Sequence, residues 1–145
     1  MESVVDKITS YYHKEKKSWF IYGSDISLIN EIICLLKNRL NTNVYIKSHD
    51  KYWKCYSGER IILFDIYNYS IKTLYDYIMD WTTDFEYSSV QYDEKHKIII
   101  NPKDQIFIVR SSLPIDKLMY PIKSYIDKLT FDSFKDQFEL LNVGS

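Results

Sequence analysis

A chain of 145 residues, 46% apolar and 27% charged, has the size and make-up of one globular domain that buries a core without a disulfide or metal staple. Its net charge of −1 excludes a bulk cationic field of the kind that draws a whole protein to nucleic acid, and leaves room only for local basic patches. Two unpatterned cysteines, Cys34 and Cys55, argue against a disulfide framework and a zinc site, and no apolar run reaches the roughly 18 residues of a membrane span, so a soluble intracellular protein is expected.

From Val4 to Tyr12 apolar residues recur at helical spacing, which predicts an N-terminal helix within residues 1–16. A basic stretch, His13 to Lys17, follows. Ser18 to Tyr22 is short, aromatic and ended by Gly23, the pattern of a buried strand. Ser24 and Asp25 are good helix N-caps; Ile26, Leu28, Ile29, Ile32, Ile33, Leu36 and Leu40 then keep helical spacing up to a stop at Asn41. Cys34 falls inside this run and is expected in the core. Asn43 to Ile46 predicts a second strand. Arg60 to Asp65 is an apolar run ended by an acid, as in a parallel strand covered on both faces. Ser70 to Trp81 predicts a helix. Lys97 to Ile100 and Gln105 to Val109 predict strands joined by a turn at Asn101 to Asp104. Pro114 to Leu129 and Phe131 to Leu141 have helical spacing. The alternation predicts one α/β domain, a three-layer sandwich with a mostly parallel central sheet: an N-terminal helix in 1–16, a core over 17–114 and C-terminal helices over 115–145.

A strand, a glycine turn and a helix make the setting of a phosphate loop, which reads G-x-x-x-x-G-K-[ST]. With Gly23 as the first glycine, Leu28 stands at the second, Ile29 replaces the lysine and Asn30 replaces the hydroxyl residue that holds magnesium. Asp25 places a carboxylate where an anion would sit.

The run from Lys51 to Tyr67 resembles the superfamily-three helicase domain of the replication-associated (Rep) proteins of circular single-stranded DNA viruses and plasmids. Trp53, Tyr56, Gly58, Glu59, Asp65 and Tyr67 match that family's aromatic-Trp-x-x-Tyr-x-Gly-Glu stretch, strand and acid; Ile66 replaces the second acid. Further on, Asp80-Trp81, the basic Lys95-His96-Lys97, the strand Ile106 to Val109 and Arg110-Ser111-Ser112 stand in the family's order, with Ser112 at the polarising asparagine of the sensor. The resemblance spans about Lys17 to Pro114. It implies a P-loop NTPase-like fold. The absence of alanine and the 14 tyrosines are the bias of an AT-rich genome, which fits many viruses, protists and some bacteria; the resemblance implies a viral source.

The resemblance implies an ATPase fold, while Leu28, Ile29, Asn30, Ile66 and Ser112 remove the groups that position and neutralise a transferring phosphoryl. The expectation is a pseudoenzyme with no catalytic residue, no metal and no cofactor. It would act by binding a protein partner or a replication assembly, as a monomer or small oligomer. Two alternatives stay open. One is a module that binds single-stranded DNA or RNA through Lys95, His96 and Lys97. The other is an inactive clamp-loader-like subunit, suggested by Phe20 to Asp25.

Overall fold

The computed structural model describes residues 4–9, 18–66, 86–121 and 126–144. In chain order the strands are β1 (Ser18–Tyr22), β2 (Val44–Ile46), β3 (Ile61–Asp65), β4 (Tyr87–Val90), β5 (Lys97–Ile100), β6 (Ile106–Ser111) and β7 (Phe138–Asn142). The helices are α1 (Ile26–Leu40), α2 (Ile115–Leu118) and α3 (Lys128–Lys135); residues 4–9 are also helical.

Five strands form one sheet in the order β2-β3-β6-β1-β7, and every neighbouring pair is parallel. Strand periodicity divides its side chains between two cores. Trp19, Ile21, Ile61, Leu63, Ile106 and Ile108 face one way and meet Ile29, Ile32, Ile33 and Leu36 of α1, with Val5 and Ile8. Phe20, Ile62, Phe64, Phe107 and Val109 face the other way, toward Trp53, Ile100, Met119, Phe131 and Phe134. Each such side chain contributes about 1.5–3 kcal/mol on burial, so the sheet is anchored from both sides.

Helix α1 starts and stops as its sequence dictates. The Asp25 carboxylate accepts from the Leu28 amide at 3.0 Å, and Asn41 closes the helix in the left-handed region at φ 49°. Cys34 does not join the core; it is exposed, because it lies one step around the helix from the buried Ile32–Ile33 pair.

The C-terminal reading is corrected in the same way. α3 ends at Lys135, and Phe138–Asn142 is not helical but the fifth parallel strand, pairing with β1 from Ser18↔Phe138 to Tyr22↔Asn142. Phe131, Phe134, Phe138 and Leu141 kept helical spacing straight through the break. Past it, Phe138 belongs to one core while Leu141 and Val143 pack on the other, which is the alternation of a strand. Lys97–Ile100 is a strand but lies outside the main sheet, in an antiparallel pair with Tyr87–Val90. Helix 70–81, Tyr67, Asp80, Trp81 and the basic stretch 13–17 fall outside the described residues. Among the described residues no helix is long and apolar enough to cross a membrane.

Candidate functional site: the carboxyl edge of the sheet

Ligand crevices of parallel sheets open at the carboxyl ends of their strands. Here β3, β6 and β1 are consecutive in the sheet, so Asp65, Arg110-Ser111 and Gly23 end up side by side although they are far apart in the chain. Asp65 is the register partner of Arg110, and Tyr22 that of Ser111.

The turn after β1 is closed on itself. Gly23 has φ 141°, and a Cβ there would stand 2.6 Å from the carbonyl oxygens of both Val143 and Gly144. The Gly23 amide donates to Ser111 O (3.1 Å), Asp25 to Val143 O (3.2 Å), Ile26 to Ser24 O (3.2 Å) and Ile29 to Asp25 O (3.2 Å). The Leu28 amide goes to the Asp25 carboxylate. Helical geometry sets in at Ile26, so Ile26 and Ser27, two of the four residues that should wrap a phosphate, are already helix. Leu28 is half-buried, and Ile29 is fully buried in the core beneath α1.

Asn30 and Asp65 are brought together by a residue that the motif reading did not single out. The Arg110 guanidinium donates through Nη1 to Asn30 Oδ1 at 2.6 Å and through Nη2 to the Asp65 carboxylate. The sequence held half of the signal: an arginine closing a run of Ile, Phe, Ile and Val on a buried strand calls for a partner, without saying which. In a working P-loop site the divalent ion sits between the loop hydroxyl and a strand acid. Here the Arg110 guanidinium stands between Asn30 and Asp65, the residues that the motif register alone would set at those two places.

Magnesium nucleotide therefore does not fit these residues. A second cation would meet the guanidinium, an anion would find the amides of Gly23, Asp25, Ile26, Leu28 and Ile29 engaged, and position 29 points into the core. Ile66 lies in the core on the opposite face from Asp65, and its amide donates to Arg110 O at 3.0 Å. Ser112 is exposed past the end of β6. The neighbouring Ser111 is buried, and its hydroxyl exchanges hydrogen bonds with the Leu113 carbonyl (2.9 Å) and amide (3.0 Å), closing a turn. Among the described residues no group of three or more His, Cys, Asp and Glu could hold a metal.

The connection from β2 to β3 supplies two further titratable groups that the motif reading passed over. Lys47 is buried, with Nζ donating to Ser48 O (2.9 Å) and Asp50 O (2.6 Å) and lying 5.3 Å from the Trp53 ring centroid. Burial pushes its ammonium down to about 8, against the pull of Asp50. His49 stacks on Phe64 with centroids 4.3 Å apart, and burial lowers its imidazole below the ordinary value, opposed by a backbone hydrogen bond at Asp65.

The motif aromatics serve the fold. Trp53 is fully buried, stacks on Tyr45 and meets Tyr56 edge-on. The Tyr56 hydroxyl donates to Glu59 O (2.9 Å) and accepts from Gln105 Nε2 (2.8 Å).

Lys95, His96 and Lys97 lie together and exposed at the β4–β5 turn, outside the five-stranded sheet. Asp93 organises this turn: its carboxylate accepts from the Lys95 amide (2.8 Å), the His96 amide (3.0 Å) and His96 Nδ1 (2.8 Å). The loop before β3 abuts the hairpin through a bridge between Tyr52 and Val90 and an ion pair between Lys51 and Glu94. On that loop Lys51 and Lys54 lie over the Tyr52 ring, and the turn exposes Tyr92, whose ring meets His96 edge-on. No protein-family model and no curated protein sequence matches this chain.

Proposed function

We propose that this chain is a catalytically silent, P-loop NTPase-like domain, similar to the superfamily-three helicase domain of Rep proteins, that acts by binding a partner and not by hydrolysing ATP. The observation that carries this reading is the adjacency of β1, β6 and β3. It gathers Gly23, Arg110 to Ser112 and Asp65 along one sheet edge, while Leu28, Ile29, Asn30, Ile66 and Ser112 hold residues without the phosphoryl-transfer chemistry. The viral source, the replication setting and the protein partner follow from the resemblance. Thermal melting with and without millimolar Mg-ATP tests the reading. The expected result is an unchanged melting temperature and no phosphate release. A clear rise, or turnover abolished by Asp65→Ala, sinks it.

A second reading has its own support. Lys51 and Lys54 lie over Tyr52, and the adjoining turn exposes Tyr92, Lys95 and Lys97, a mixture of cations and aromatic faces that suits single-stranded nucleic acid. Asp93 and Glu94 oppose it by cancelling charge at the same turn. Binding to an oligonucleotide that falls with salt and is lost in Lys95→Ala/Lys97→Ala supports this reading; equal binding by the double variant ends it.

A further inference from the structure

The misfit between the sheet edge and a metal–nucleotide has a positive side. Three elements meet at one guanidinium: α1 through Asn30, β3 through Asp65, and β6, which carries Arg110. The Arg110 side chain is 16% exposed and that of Asp65 31%, so the pair is largely shielded from water. The backbone braces the same place: Ile66 donates to Arg110 O, and Gly23 to Ser111 O, so β6 is held on both sides next to the arginine.

We infer that Arg110 is a tethered cation that takes the place of a ligand's cation and locks the first turns of α1 onto the sheet edge. The domain then keeps, with nothing bound, the closure that a metal between helix and strand would impose. This rests on reading the edge as a former nucleotide site. The chemistry is specific to a planar fork. One nitrogen addresses a carboxamide oxygen and another a carboxylate, whereas a lysine would have to serve both acceptors from one nitrogen. Without the guanidinium, the Asn30 carboxamide oxygen and the Asp65 carboxylate lose the donor they share, and the partly buried charge of Asp65 loses its paired cation.

Chemical rescue tests this directly. The intact chain and Arg110→Ala are melted alone, with low millimolar methylguanidinium, with methylammonium at the same concentration, and with Mg-ATP. Hydrogen exchange is followed at the α1 amides. Arg110→Ala is expected to melt about 5–10 °C lower, with faster exchange in the first two turns of α1. Methylguanidinium, but not methylammonium, recovers half or more of the loss and leaves the intact chain unmoved. Arg110→Ala/Asp65→Asn melts no lower than Arg110→Ala alone, because the two residues act as one unit.

Additive losses in the double variant overturn the inference, as does equal rescue by the two cations. If Arg110→Ala does not fold, Arg110→Lys replaces it: an intermediate melting temperature with faster α1 exchange supports the lock, and behaviour identical to the intact chain overturns it. A rise of the intact chain's melting temperature with Mg-ATP overturns both this inference and the reading beneath it. Failure of methylguanidinium rescue while the intact chain ignores Mg-ATP overturns the lock alone.

Discussion

Asp65 and Arg110 are register partners on the neighbouring parallel strands β3 and β6, and their side chains pair on the face that α1 covers. Removing the acid leaves a largely buried guanidinium with only Asn30 and its remaining surroundings to compensate. Asp65→Ala is expected to cost about 1–3 kcal/mol in urea unfolding, below the range for fully buried pairs because the Asp65 side chain is about one-third exposed. A loss under about 0.3 kcal/mol would show that solvent already screens the pair.

Putting the missing lysine back is expected to harm the fold and restore nothing. Ile29 has no exposed surface and belongs to the core beneath α1. Ile29→Lys therefore drives an ammonium into an apolar layer, at a cost of about 3–5 kcal/mol. Calorimetric titration of any folded fraction with Mg-ATP is expected to show no heat of binding.

Two glycines separate local strain from steric clash. Both have positive φ, but a Cβ on Gly58 meets nothing within 4 Å, whereas one on Gly23 strikes two carbonyl oxygens at 2.6 Å. Gly58→Ala should cost about 1–2 kcal/mol, the price of a left-handed conformation. Gly23→Ala should cost clearly more, at least about 2 kcal/mol, because the chain after β7 must also move. Equal urea midpoints for the two variants would falsify this account of the turn.

Lys47 predicts a pH dependence. Its folded value, about 8, lies below its ordinary 10.5, so between these limits the unfolded chain binds more protons than the folded one and stability rises with pH. The penalty is fully present below pH 8 and disappears as the pH climbs. The Tyr45 phenol, pushed up by burial, acts in the opposite direction but only near and above its ordinary value of 10. Stability measured from pH 8 to 10 should thus gain on the order of 1–2 kcal/mol, and Lys47→Met should flatten that slope. An unchanged slope in Lys47→Met assigns the dependence to other groups.

Much of the parallel sheet was legible because its strands are uniform apolar runs with clear stops. Gly23 ended β1, Asp25 capped α1 and Asn41 closed it, each through chemistry local to a few residues. β7 was not legible, since Phe131, Phe134, Phe138 and Leu141 satisfy a helical period until the pairing with β1 is known. β4 was missed because Tyr87-Ser88-Ser89-Val90 has little apolar signal without β5 beside it. At the site, Gly23, Asp25, Leu28, Ile29 and Asn30 could be placed by spacing alone. Arg110 could not, because its meaning comes from Asp65, 45 residues away, and Asn30, 80 residues away.

The strand order also bears on how the chain reaches this state during synthesis. Among the described residues β1 pairs with β6 and β7, whose residues begin at Ile106 and Phe138. The earliest strand of the sheet therefore leaves the ribosome with both edges bare, and it stays so while some 80 residues more are made. β2 and β3, by contrast, can pair as soon as they emerge. Such long-range closure slows folding and leaves Trp19, Phe20 and Ile21 open to other hydrophobic surfaces in the interval.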